Sequence, residues 1–165
     1  MNSAAPNAVS NPGDKLHSER VLIVDFGGQV TQVIARRIRA SGVYSEVHPF
    51  NAVTDDFIRE CAPKAVILSG GPASAGENET PRAPDGLWEM GLPVLGICYG
   101  EMTMAQQLGG KVTASEHQEF GRTEVEITGE SALFDGIWKP GDTHQVWMSH
   151  GDKIDAIPEG FSPIA

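Results

Sequence analysis

"GICYG", residues 96–100, sets one cysteine between two glycines in the spacing G-x-C-x-G. The same spacing with serine marks a nucleophile elbow, a strained strand-to-helix turn that lifts a reactive side chain above a sheet. An apolar run, "PVLGI", leads into Cys98, and a helix-forming segment, "EMTMAQQL", follows it. Side chains at Gly96 and Gly100 would crowd the close approach of that strand and helix. The partial positive charge at a helix start favours thiolate, the species that attacks a carbonyl carbon. The competing reading is a small cysteine buried in the core, a common fate of a free thiol. Cys61, in "RECAPK" at a helix end, lacks these surroundings and is expected to be structural.

A thiolate attacking an acyl carbon needs hydrogen-bond donors for the developing oxyanion. The backbone N–H of Tyr99, directly after the sulfur, is one candidate. "SGGP", Ser69–Pro72, offers Gly70 or Gly71 as a second, although a plain tight turn explains the same residues. The reaction also needs a base. Among the histidines, His17 lies in the N-terminal stretch, His48 precedes a proline in a strand, and His117 is expected in an exposed loop. His144 and His150 bracket "QVWMS", and "SHGD" reads as a polar turn. The residues alone favour His150 as the base. No CxxC pair or Cys/His cluster has metal-ligand spacing, so no metal is expected.

The elements that must carry these groups alternate. "RVLIVDFGG" is a β-branched strand ending in glycines, and "QVTQVIARRIRASG" is a helix with Val30, Val33, Ile34 and Ile38 at helical spacing and Gly42 as its C′ residue. "VYSEVHPF" is a second strand, and "TDDFIRECA" a short helix with Thr54 as N-cap. "KAVILSGGP" is a third strand, "SAGENETPRAPDG" a polar loop, "LWEMG" a brief helical stretch and "PVLGI" a fourth strand. Continuous apolar strands alternating with helices predict an α/β fold: an open, mostly parallel sheet with helices on both faces. Such sheets bind ligands at the carboxyl ends of their strands, where Gly27-Gly28, Gly70-Gly71 and the Cys98 turn should meet. From Lys111 onward, "KVTAS", "RTEVEIT" and "THQVWMS" predict a smaller mixed or antiparallel portion.

Composition narrows the function classes. A chain of 165 residues with 40% hydrophobic content suits one domain, expected over residues 20–165 after a disordered tail at 1–19. The net charge of −10, without a Lys/Arg stripe, argues against nucleic acid or an anionic membrane as partner. Two cysteines make no disulfide framework, which fits a reducing cytoplasm, and no run reaches the roughly 20 apolar residues of a membrane span.

"DFGGQVTQVIARRIRASGVYSEVHPF", "ILSGGPAS", "GICYGEMTMAQQLGG", "EFGR" and "VWMSHGD" together resemble the class I glutamine amidotransferase domain of GMP synthases, from about Arg20 to the last residue. The elbow fits any class I amidotransferase; the first block and "VWMSHGD" narrow the match. The resemblance implies a flavodoxin-like sheet in which Cys98 attacks the side-chain amide of L-glutamine. Ammonia leaves, and water hydrolyses the γ-glutamyl thioester to glutamate. It implies Gly70, Gly71 and Tyr99 as the oxyanion hole, and Met102, Ser149, His150, Gly151 and Asp152 as glutamine-binding positions. His150 then becomes pocket lining rather than the base. No cofactor is implied in this domain. The ammonia passes to an ATP pyrophosphatase (synthetase) domain, fused or separate and homodimeric, which uses ATP and Mg²⁺ to turn XMP into GMP.

Two departures from the family pattern stand out. The family has glutamine at the fourth position after the nucleophile, where this chain has Met102, with Glu101 beside it. A thioether cannot supply an amide's donor and acceptor, a loss of about 1.5–3 kcal/mol where the partner is charged. The family's catalytic His and Glu lie in an "HPE" motif, which this sequence does not contain. Both are therefore expected beyond Ala165, the chain being an N-terminal portion that alone turns glutamine over slowly or not at all. Two alternatives stay open: an amidotransferase subunit of another pathway or other Cys-elbow hydrolase, and a degenerate domain kept for binding or regulation.

Overall fold

The run VLIVD folds as strand β1, Val21–Asp25, in which Leu22, Ile23 and Val24 are each 0% exposed. Successive strand residues point to opposite sides, so both faces of β1 are covered, as its unbroken apolar sequence requires. The structure, a computed structural model, describes residues 19–75 and 80–165, without the side chains of residues 115–120 and 150. Residues 1–18 of the expected tail, His17 among them, and residues 76–79 of the polar loop lie outside the described residues.

The chain divides into two compact units, the first taking the described residues up to Pro72 together with Arg82–Gly100. After β1 comes helix α1, Thr31–Ala40, then β2, Ser45–Pro49, helix α2, Asp55–Cys61, β3, Ala65–Leu68, and β4, Val94–Gly96. Short 3₁₀ turns lie at Phe50–Ala52 and Asp85–Glu89. The four strands are parallel in the order β2-β1-β3-β4. Chain direction across the sheet therefore reverses at β1, and the crevice beyond the carboxyl ends of β1 and β3 is where such sheets hold ligands.

Helix α1 buries a face other than the one its valines suggested. Val30 is 48% and Val33 43% exposed, whereas Ala35 is 0% exposed and packs with Ile23 and Ile67, with Ile34 and Ile38 against them. Thr31, Ile34, Ala35 and Ile38 thus form the inward stripe, at i, i+3, i+4 and i+7. The caps follow the sequence more closely. The Phe57 N–H donates to Thr54 Oγ1 at 3.1 Å at the start of α2, and Gly42 takes φ +80° after α1.

In β2, Glu46 gathers Arg20 at 3.3 Å and His48 Nε2 at 3.2 Å, while the His48 ring packs on Phe57 with centroids 4.7 Å apart. Burial pushes the Glu46 carboxyl up, but hydrogen bonds from His48 and Tyr44 and the Arg20 charge outweigh it and hold the carboxyl below its usual range. A carboxyl lowered in the folded state stabilises the fold above its unfolded value and loses that contribution as pH falls through the folded one. Glu46→Gln should therefore cost about 0.5–1 kcal/mol at neutral pH. The difference from the unaltered protein should shrink in acid, which denaturant titrations at neutral and acidic pH would measure.

The second unit, Ala73–Pro81 with Glu101–Ala165, holds two long antiparallel strands, β5, Lys111–Glu126, and β6, Thr143–Ala156. "KVTAS" and "RTEVEIT" are one strand, not two. The register slips between Ala114, opposite Asp152, and Glu119, opposite His150, which makes the polar stretch between them a bulge within the strand. The backbone of His117 accordingly belongs to β5 rather than to a loop, and "SHGD" belongs to β6 rather than to a turn.

Candidate active site

Cys98 follows β4 and immediately precedes helix α3, Tyr99–Gln107. It is exposed and sits at φ +55°, in the left-handed region that residues with a Cβ avoid. This is the strained, outward-facing turn that G-x-C-x-G predicts. The buried-core reading of Cys98 is thereby corrected, while Cys61 is buried, with Arg20 Nη1 3.7 Å from its sulfur.

Close backbone packing makes the turn possible. A Cβ on Gly100 would lie against the Leu68 carbonyl oxygen, 2.5 Å from its carbon and 2.7 Å from Leu68 Cβ. Only glycine lets α3 start this near β3. Tyr99, 3% exposed, sets its ring edge-on to Phe26 with centroids 5.2 Å apart, which anchors the first turn of α3.

The three glycine turns of the first unit converge as expected. A Cβ on Gly70 would stand 3.6 Å from Cys98 Cβ and 3.8 Å from its sulfur, and one on Gly28 would strike the Gly70 carbonyl. A Cβ on Gly71 would come 2.7 Å from the Phe26 carbonyl oxygen. Among the described residues, neither the Gly70 nor the Gly71 N–H donates a hydrogen bond. Backbone donors bordering an exposed thiol are what a tetrahedral oxyanion requires.

Beneath that turn lies a polar cluster that the sequence reading missed. Thr31, 1% exposed, and Ser69, 0% exposed, place their hydroxyl oxygens 3.0 Å apart, and Thr31 donates to Asp25 Oδ1 at 2.8 Å. The only trace in the sequence is a hydroxyl residue on the buried stripe of α1, facing another at the end of β3.

The other expected site residues lie in the second unit. Met102 is partly buried on α3, and Ser149, His150, Gly151 and Asp152 are consecutive along β6. Asp152 accepts from Ser74 Oγ at 3.0 Å and from the Ala75 N–H at 3.0 Å, so its carboxylate is held by the segment that follows the Gly70-Gly71 turn in sequence. Of the histidines weighed as base, His48 packs in β2 as expected. His144 stacks on Trp138, centroids 4.5 Å apart, and the side chain of His150 lies outside the described residues.

The profile of the family "Glutamine amidotransferase class-I" matches residues 22–165. The chain belongs to the class I glutamine amidotransferases. Relatives of this amidotransferase include the glutamine-hydrolysing GMP synthase of Bradyrhizobium sp. (strain ORS 278), 56% identical over 161 residues that make up 98% of this chain and 30% of that one. The GMP synthase of Bartonella bacilliformis is 59% identical over 151 residues, 92% of this chain and 29% of its own. The amidotransferase chain thus spans about 30% of the length of these relatives. Among solved structures, a GMP synthase component from Thermoplasma acidophilum superposes with TM-score 0.74 at 29% identity, over 90% of this chain and 72% of that one. A glutamine amidotransferase of Thermotoga maritima superposes with TM-score 0.62 at 22% identity, over 87% of this chain and 64% of that one, and shows the shared fold.

Proposed function

We propose that this amidotransferase splits the side-chain amide of L-glutamine through Cys98. The sulfur bonds to the amide carbon, and the carbonyl π pair moves onto oxygen. There the N–H of Tyr99 and that of Gly70 or Gly71 stabilise it. Collapse of this intermediate breaks the carbon–nitrogen bond, and the nitrogen leaves as ammonia after taking a proton. Water then splits the γ-glutamyl thioester into glutamate and free thiol. Proton transfer falls to a His–Glu pair of the HPE type, which these 165 residues do not contain. Met102, Ser149, His150, Gly151 and Asp152 are the proposed glutamine-binding positions. Residues 20–165 are read as the amidotransferase domain.

The observation that carries this reading is the exposed Cys98 thiol at φ +55°, between β4 and α3, with the Gly70 turn against it. The names of its relatives extend the proposal. The ammonia would serve a synthetase domain, fused or separate, that uses ATP and Mg²⁺ to adenylate XMP and aminate it to GMP, in a cytoplasmic homodimer. Among the described residues no helix is long and apolar enough to cross a membrane.

A diazo-ketone analogue of glutamine tests the reading without requiring turnover. Its diazo carbon takes a proton, nitrogen gas departs, and the sulfur bonds to that carbon as a thioether. Peptide mapping should find the label on Cys98 and not on Cys61, with excess L-glutamine slowing the reaction. Labelling that glutamine does not slow would overturn the proposal and favour a degenerate binding module, the reading Met102 supports.

A further inference from the structure

The Gly70–Gly71 peptide has glycine on both sides, so its own backbone preferences do little to fix which way it faces. Its orientation matters. In a trans peptide the Gly70 carbonyl and the Gly71 N–H point in opposite directions, so turning one turns the other. Something outside the turn must hold this plane if Gly71 is to offer its N–H on the Cys98 side.

The buried hydroxyls are placed to do so. Each carries one proton. The shortest contact of Thr31 Oγ1 is to Asp25 Oδ1 at 2.8 Å, a charge-assisted bond that takes the Thr31 proton. Asp25 is itself fixed by the Gly27 N–H at 2.8 Å. Ser69 Oγ accepts from the Phe26 N–H at 3.3 Å. Its proton is left for the two acceptors within reach, Thr31 Oγ1 at 3.0 Å and the Gly70 carbonyl oxygen at 3.1 Å. Shared between these two oxygens, the Ser69 proton links Asp25 and Thr31 to the carbonyl whose peptide partner is the Gly71 N–H. Gly28, just before α1, packs so closely on that carbonyl that a Cβ there would strike it.

We infer that Thr31 and Ser69, anchored on Asp25, are positioning residues that hold the Gly70–Gly71 peptide with its N–H turned toward the Cys98 side. Neither hydroxyl touches the substrate. They act through the oxyanion donor, and the inference rests on the Cys98 reading given above.

The test uses the nitrile analogue of L-glutamine, in which C≡N replaces the side-chain carboxamide. The thiol adds reversibly: a sulfur–carbon bond forms, one carbon–nitrogen π bond opens, and the nitrogen takes the thiol proton. That nitrogen occupies the place of the oxyanion and needs the same donors. Iodoacetamide alkylation of Cys98 involves no such centre and reports the thiol alone. In the unaltered protein the nitrile should protect Cys98 from iodoacetamide. Thr31→Val and Ser69→Ala should each weaken nitrile protection about tenfold or more, with alkylation in the absence of nitrile unchanged. Thr31→Ser, which keeps the hydroxyl, should restore protection. Variants protected as well as the unaltered protein would overturn the inference, as would alkylation rates that shift in step with protection, since the hydroxyls would then support the whole elbow. No protection in the unaltered protein would remove the Cys98 reading itself, a failure visible before any substitution is made.

Discussion

Serine in place of Cys98 is expected to leave a folded protein that no longer captures the diazo ketone. Labelling should fall to background, since the thiol that remains, Cys61, is buried. An alcohol holds its proton at neutral pH, and the neighbouring N–H donors can stabilise an oxyanion only after something has attacked. Stability should barely move, because Cys98 is exposed and the change is one atom. Glycine at the same position makes the sharper comparison. A residue with a Cβ in the left-handed region costs about 1–2 kcal/mol, which glycine relieves at an entropic cost of about 0.5–1 kcal/mol. Cys98→Gly should therefore melt at or slightly above the unaltered protein while being equally unlabelled by the diazo ketone. Equal loss of labelling with Cys98→Gly at least as stable as Cys98→Ser would show that the turn stores strain in order to present the sulfur. A Cys98→Gly protein that melts well below Cys98→Ser would show that it does not.

Features set by short-range chemistry were legible in the sequence. The Thr54 cap, the glycine after α1, the strand–helix alternation and the elbow each depend on residues a few positions apart, and each stands where the pattern put it. What escaped depends on distant partners. Val30 and Val33 have the right hydrophobicity for the inward stripe of α1, but Thr31 occupies it, because Ser69, 38 positions away, and Asp25 satisfy its hydroxyl there. A buried hydroxyl without such partners would be costly, so its place cannot be read until they are known. The same holds for β5, where Glu, His and Gln suggested a loop. Pairing with β6 keeps that stretch in one interrupted strand. Asp152 is marked by the family resemblance alone, because its bonds to Ser74 and Ala75 join segments 77 or more residues apart that periodicity does not connect.

Gly100→Ala should be the most damaging single methyl group in the first unit. The added Cβ would meet the carbonyl oxygen, carbonyl carbon and Cβ of Leu68, all atoms of a residue 0% exposed. The backbone atoms cannot yield easily. β3 is hydrogen-bonded to β1 on one side and β4 on the other, and the Ile97 N–H donates to that same Leu68 oxygen at 2.9 Å. Relief must come from α3 backing away, which drags the Cys98 turn off its strand. Overpacking of this kind costs about 1–3 kcal/mol and more where the surroundings are rigid, so a loss of about 3 kcal/mol is expected. At this chain length that is roughly 6–12 °C in Tm. Gly91→Ala provides the control, because Gly91 has φ +66° but nothing within 4 Å of an added Cβ. It should lose only the backbone term of about 1–2 kcal/mol and keep diazo-ketone labelling of Cys98. Gly100→Ala should lose both stability and labelling, even at temperatures where it remains folded. Equal effects from the two alanines would mean that close packing of α3 on β3 is not what holds the nucleophile in place.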